Sequence, residues 1–245
     1  MELLAEKVET QSELEQARSM GYTYFQGYFF CKPTMVEGRG IPSNKLNYVR
    51  LLEAVNSPNF SSEKIEEILK AEPSLVYKLL RYLNSPLLGL RNEVRNINNA
   101  ISLLGEKEFR RWVSIVAIVS MAGDKSPELI RTALTRAFFC EEVSEPIGMF
   151  SQKSDLFLLG LLSVTDAILD MPMQEVLTKL PIAAEVSTAL TGGMNRLREV
   201  YDVLISYERA DWMLLSSLAA KLGCPEELVP KCYLSAAKRA TVVSM

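Results

Sequence analysis

The chain has no histidine among its 245 residues. Histidine is the usual general base near neutral pH and the commonest side-chain metal ligand. Its absence excludes Ser-His-Asp and Cys-His catalysis and every His-built metal site. Carboxylate and Mg²⁺ chemistry, lysine nucleophiles, or no chemistry at all remain. Cysteine is scarce as well: Cys31, Cys140, Cys224 and Cys232 contain no CxxC pair, so they read as reduced residues in a reducing compartment. Basic charge is not in excess, because 27 Lys and Arg against 30 Asp and Glu leave −3. Such a balance offers no global attraction to nucleic acid or to an anionic membrane. Long apolar runs are missing too. The longest, Leu156 to Val164, falls well short of the roughly 18 residues that span a bilayer. Met1-Glu2-Leu3-Leu4 runs straight into charged residues, unlike a signal peptide. The expectation is a cytoplasmic globular protein with no membrane partner, no cofactor and no metal; nucleic acid is disfavoured as a partner.

What is present is mainly helical periodicity. Residues 1–33 differ in texture: Leu3, Leu4, Ala5 and Val8 suggest a strand, Ser12 to Met20 a helix ended by Gly21, and Tyr24 to Phe30 an aromatic strand that stops at Pro33. That order predicts one parallel strand–helix–strand unit, which alone leaves its strand edges open. Residues 34–44, with two glycines and a proline, read as a linker. From Lys45 to the end the apolar spacing is 3.6. Tyr48, Leu51, Leu52 and Val55 form one stripe, and a second helix starts near Ser61 with Glu63 in its first turn. Leu75, Val76, Leu79, Leu80 and Leu83 make a third stripe, stopped by Pro86. Phe109, Trp112, Val113, Val116 and Val119 run beyond Gly105. The break at Gly123–Pro127 suggests subdomains 45–122 and 126–245. Helices are expected around 128–147, 154–170, 173–179, 182–191, 195–220 and 226–243. Trp112 and Trp212 are both expected to anchor the core.

Two local signatures resemble known families. Residues 3–10, LLAEKVET, followed by FQGYFFCKP at 25–33, resemble the C-terminal end of an EAL domain, a barrel that hydrolyses cyclic di-GMP with divalent metal. The resemblance implies that Glu6 stands for the general base, Glu9 for a supporting acid and Gln26 for a polar active-site residue. Lys7 replaces the family's glycine, and the Glu-Ala-Leu motif is missing. A whole barrel needs about 250 residues, so 33 residues alone are expected to be inactive unless a complete barrel precedes them.

Residues 45–245 resemble the HDOD domain, a helical output module related to metal-dependent HD phosphohydrolases. Its carriers are Glu72-Pro73 with Leu75, the Leu83-Asn84-Ser85-Pro86 turn, Ala100-Ile101 with Leu104-Gly105, and Leu158 to Ser163. Where the catalytic relatives read Gly-Leu-Leu-His-Asp, this chain reads Gly160-Leu161-Leu162-Ser163-Val164. The resemblance thus implies that the metal dyad is replaced by Ser163 and Val164. The expected fold is a mainly α, multi-helix HD-like bundle with a small N-terminal βαβ remnant. The expected function is a non-catalytic signalling module that works through protein partners or self-association near cyclic di-GMP signalling.

Several residues carry open alternatives. Asp166 and Asp170 either share a helix face and bind Mg²⁺ together, or are simply solvated. Asn84 and Ser85 either cap local backbone or make a signalling contact. Between residues 78 and 111, Lys78, Arg81, Arg91, Arg95, Lys107, Arg110 and Arg111 stand against Glu93, Glu106 and Glu108, a local +4. That stretch is either a solvated face or a docking face for a nucleotide or an acidic partner. Residues 207–212, Tyr-Glu-Arg-Ala-Asp-Trp, either pack in the core or form a protein contact.

Overall fold

Local chemistry at the segment ends explains where each element of the chain begins and stops. In the computed structural model, residues 3–6, 8, 10–25, 41–57, 59–71, 73–83, 97–180 and 182–244 are described. Thr10 and Glu13 form a reciprocal capping box that starts helix α1 (Gln11–Ser19). The helix connects two short strands, β1 (Leu4–Ala5) and β2 (Tyr24–Phe25), which pair in parallel with Leu4 opposite Tyr24 and Ala5 opposite Phe25. The strand–helix–strand unit expected from the sequence is therefore present. The rest of the aromatic run and the 34–40 part of the linker lie outside the described residues.

Helices α2 (Leu46–Asn56), α3 (Ser62–Lys70), α4 (Pro73–Leu83) and α5 (Ile97–Met121) follow. Ser61 caps α3 by accepting from the Lys64 amide, and Glu63 sits in its first turn as expected. Pro73 opens α4, where the missing N–H costs nothing. Gly105 breaks α5 with φ 76° and ψ 160°, a conformation that is essentially restricted to glycine. Its place in the motif thus has a backbone reason.

Helices α6 (Pro127–Val143), α7 (Lys153–Leu162), α8 (Thr165–Leu169), α9 (Met173–Thr178), α10 (Ala184–Leu190), α11 (Arg196–Glu208), α12 (Trp212–Leu222) and α13 (Leu228–Ser244) complete the chain. Two expected long helices are each split. The span 154–170 breaks at Ser163 and Val164, whose backbone leaves the helix before α8 begins. The span 195–220 breaks because Ala210 takes φ 56° and Asp211 caps α12 by accepting from the Leu214 amide. Periodicity alone misses both, because the apolar stripe resumes in nearly the same phase after each break. Trp112 is buried, as expected. Trp212 is 57% exposed and corrects the core expectation: it begins α12 and packs edge-on against Tyr207 at 5.9 Å.

Helix α6 is the axis of the later part, packed by α13 on one side and α7 on the other. Helix α11 reaches α6, α7, α10, α12 and α13, and α2 lies along α5. One cluster of buried apolar side chains runs from Val49 through Phe109, Phe138 and Phe157 to Val243, across the Gly123–Pro127 break. The buried ammonium of Lys45 donates to Asp124 Oδ1 at 2.7 Å and to the Ile168 carbonyl at 2.9 Å, tying the first helical turn to that break and to α8. Desolvation pushes the Asp124 carboxyl up, yet the hydrogen bond and charge of Lys45, a backbone hydrogen bond and nearby Lys125 leave it below its ordinary value. Among the described residues no helix is long and apolar enough to cross a membrane.

Candidate functional site

The site grows from the crossing of α6 and α7. Gly160 lies against the α6 backbone so closely that a Cβ there would fall onto the Arg136 carbonyl and within 2.5 Å of the Ala137 nitrogen. Only glycine permits that approach. The approach brings Ser163, at the end of α7, over the side chain of Arg136.

Arg136 is 3% exposed in the middle of α6. Its guanidinium donates from Nη1 to Ser163 Oγ at 3.2 Å and to Tyr201 Oη at 3.3 Å. From Nη2 it reaches Glu208 Oε2 at 2.7 Å, and Nε approaches both carboxylate oxygens at 3.1 Å. The fork-on-fork geometry suits a planar guanidinium and a carboxylate. Ser163 in turn donates to the Gly160 carbonyl at 2.8 Å. A permanent cation from α6 therefore sits beside Ser163, and α11 supplies its counter-charge. A guanidinium stays protonated in proteins, so it serves neither as a base nor as a metal ligand. Val164 is buried in the core and offers no ligand atom.

Neighbouring groups are equally muted. Burial pushes the Cys140 thiol up to about 12, a rise opposed by Arg136 and reinforced by Glu208. It is a core thiol at neutral pH. Burial also raises the Asp166 carboxyl, against an Ala167 amide hydrogen bond of 2.8 Å and the pull of Arg136. Because the folded state holds that proton to higher pH than the unfolded chain does, ionised Asp166 costs stability at neutral pH. The cost fades as pH falls through the raised folded value. Asp166→Asn, which keeps the acceptor oxygen, is expected to melt above wild type at about pH 7, with the gap closing towards about pH 4. Thermal melts across that range check it, and a gap that widens in acid would contradict it.

The paired-aspartate expectation is corrected. Asp170 lies past the end of α8 in a left-handed conformation, φ 55°, and accepts from Lys125 Nζ at 2.6 Å. It does not share a helix face with Asp166, because the helix has already stopped. Among the described residues no group of three or more His, Cys, Asp or Glu is placed to hold a metal ion.

The basic stretch is also redrawn. Arg110 donates to Glu106 at 2.6 Å and to the Ser57 carbonyl at 2.7 Å, with its guanidinium 4.6 Å from the Phe60 ring centre. Arg111 binds Glu141 at 2.7 Å and Glu108 at 3.3 Å, and lies 4.7 Å from the Phe157 ring centre. Both arginines fasten helices together from inside; they do not form an open face. Arg81 and Lys107 are exposed. Arg91, Arg95, Asn84, Ser85, Pro86, Glu9 and Gln26 lie outside the described residues, and Glu6 is exposed just after β1. Arg136, Tyr201 and Glu208 were not singled out in the sequence. The available signal was the lone charge in the run 133–140, which is apolar apart from Thr135 and Arg136, since such a charge needs a buried partner.

A comparison with family profiles matches the HDOD domain over residues 41–191. A Vibrio cholerae protein named cyclic di-GMP phosphodiesterase CdgJ is 31% identical over 220 residues, covering 90% of this chain and 51% of the relative. Bacillus subtilis YuxH is 32% identical over 236 residues, 95% of this chain and 57% of the relative. The chain thus spans about half the length of the curated relatives it matches. Among solved structures, a putative phosphohydrolase from Shewanella amazonensis superposes with TM-score 0.51 at 16% identity, covering 82% of this chain and 94% of that one. At that identity the likeness concerns the fold.

Proposed function

Because the chain belongs to the HDOD family, we propose that it is a non-catalytic signal-transduction module that acts by changing its protein contacts. The observation that carries this reading is the buried Arg136–Glu208 pair beside Ser163, the residue that the family resemblance aligns with the first member of the metal dyad. Without a metal-bound water, phosphodiester cleavage has no nucleophile here. The start of α12 supports a role in protein contact: Trp212, Met213 and Leu214 are exposed in succession, Met213 to 89%. A signalling protein or a second copy of the chain would bury them. The free thiols Cys140, Cys224 and Cys232 fit a reducing, cytoplasmic setting.

The finer assignment places the end of an EAL-type barrel at residues 1–33, a linker at 34–44 and the HDOD domain at 45–245. The parallel β1–α1–β2 unit supports it. So does the cyclic di-GMP phosphodiesterase name of a relative about twice as long as the matched region. In a parent protein with the remaining strands, hydrolysis of cyclic di-GMP would belong to that barrel, and the helical part would report on it.

The test is an assay of residues 1–245 with Mg²⁺ or Mn²⁺ against cyclic di-GMP and a generic phosphodiester, alongside metal analysis of the purified protein. No turnover above background and no stoichiometric metal are expected. Turnover abolished by Ser163→Ala or Arg136→Met would end the non-catalytic reading.

A further inference from the structure

We propose that a second site, away from Ser163, binds a small phosphorylated ligand carrying a flat ring, the chemistry of a mononucleotide. The site is a cleft of about 520 Å³ between the Gly105 turn of α5 and the start of α7, within the size range of small-molecule sites. The turn of α5 beyond Gly105, the Phe150 turn and the start of α7 line it.

The charges in the cleft are unevenly committed. Glu106 is held by Arg110 and Glu108 by Arg111. Glu141 receives Arg111 at 2.7 Å and Arg239 at 3.2 Å, so the Lys153 ammonium, 3.9 Å away, adds little to it. Lys107 makes no ion pair among the described residues and is exposed. The carboxylates are thus satisfied chiefly by arginines, while Lys107 and Lys153, which both line the cleft, are left to meet an incoming anion. Serine hydroxyls at 151 and 154 line the same mouth with no hydrogen-bond partner among the described residues.

The apolar half is equally specific. Phe150 is 65% exposed on a single 3-10 turn, an unusual place for a large ring. Lys153 Nζ lies 5.7 Å from its centre. Phe157 and Leu158 continue the apolar wall inward. A base stacked on Phe150 would gain the contact that aromatic side chains offer in nucleotide sites, with its attached phosphate within reach of Lys153. A bare inorganic anion would use the lysines and leave Phe150 in water; an uncharged nucleoside would do the reverse. The arrangement asks for both in one molecule, whether or not the chain hydrolyses anything.

The experiment is calorimetric titration of the whole chain, at low salt, with AMP, GMP, CMP and UMP, and with guanosine and inorganic phosphate as half-ligands. At least one mononucleotide is expected to bind at least ~10-fold tighter than either half-ligand, with affinity falling as salt rises. Lys107→Ala, Lys153→Ala and Phe150→Ala are each expected to weaken it about 10-fold, the scale of one lost ion pair or stacked ring. All three side chains are surface-exposed or half-exposed, so the variants should melt with wild type, and Lys64→Ala on α3 should bind as wild type does. No heat from any of the four nucleotides overturns the proposal. So does binding no tighter than phosphate, or undiminished binding in all three variants.

Discussion

Arg136→Ala is expected to destabilise the protein by about 3–5 kcal/mol, the cost of removing one member of a buried ion pair. Glu208 would be left 16% exposed with no cation, and Ser163 and Tyr201 would each lose a donor. Glu208→Ala leaves the more deeply buried charge and should cost at least as much. The informative variant is the double replacement Arg136→Met with Glu208→Leu. A buried pair exchanged for apolar groups of similar volume is often neutral or stabilising, so the double variant should lie within about 1 kcal/mol of wild type in urea unfolding. A double variant that stable would show that the pair is replaceable by apolar packing. A double variant as unstable as the singles would mean that Ser163 and Tyr201, not the charge pair, make Arg136 indispensable.

The second large effect is expected at Gly160. A methyl group there would overlap the α6 backbone at Arg136 and Ala137. Backbone cannot rotate out of the way as a long side chain can. Relief therefore requires α6 and α7 to separate, and overpacking of that kind costs about 1–3 kcal/mol and at times more. Gly160→Ala is expected at the upper end or beyond, because α6 and α7 form one of the closest helix contacts in the fold. Comparison with Gly148→Ala separates sterics from backbone conformation. Gly148 has φ 72° but open space around its Cβ position, so alanine there meets only the left-handed backbone penalty of about 1–2 kcal/mol and no clash. Equal losses at the two positions would refute a packing role for Gly160.

The comparison of pattern with structure is most instructive at particular residues. The stripes at Leu51, Leu52 and Val55 and at Leu75 and Leu79 are buried as their spacing requires, because a helix has one way to hide such a face. Ser61 and Glu63 were legible as a helix start because capping acts within four residues. The breaks at Ser163–Val164 and Ala210 were not, since neither carries glycine or proline. Trp212 was misplaced because aromatic size indicates burial on average and says nothing about which face of α12 meets the body. Arg110 and Arg111 appeared as free charge because their partners include Ser57, 53 residues away, and Glu141, 30 residues away.

The sequence by itself determined what this chain lacks and what its helices must hide. With no histidine, every His-built metal site is missing whatever the fold, because the imidazole is a property of composition. Apolar periodicity likewise settled a mainly helical body, because burial is a local demand repeated every turn. What surrounds Ser163 was settled by tertiary packing alone. Arg136, Ser163, Tyr201 and Glu208 lie on three helices and meet because Gly160 lets α6 and α7 touch. A contact between groups 27 to 72 residues apart is fixed by packing, and no local pattern in the chain encodes it.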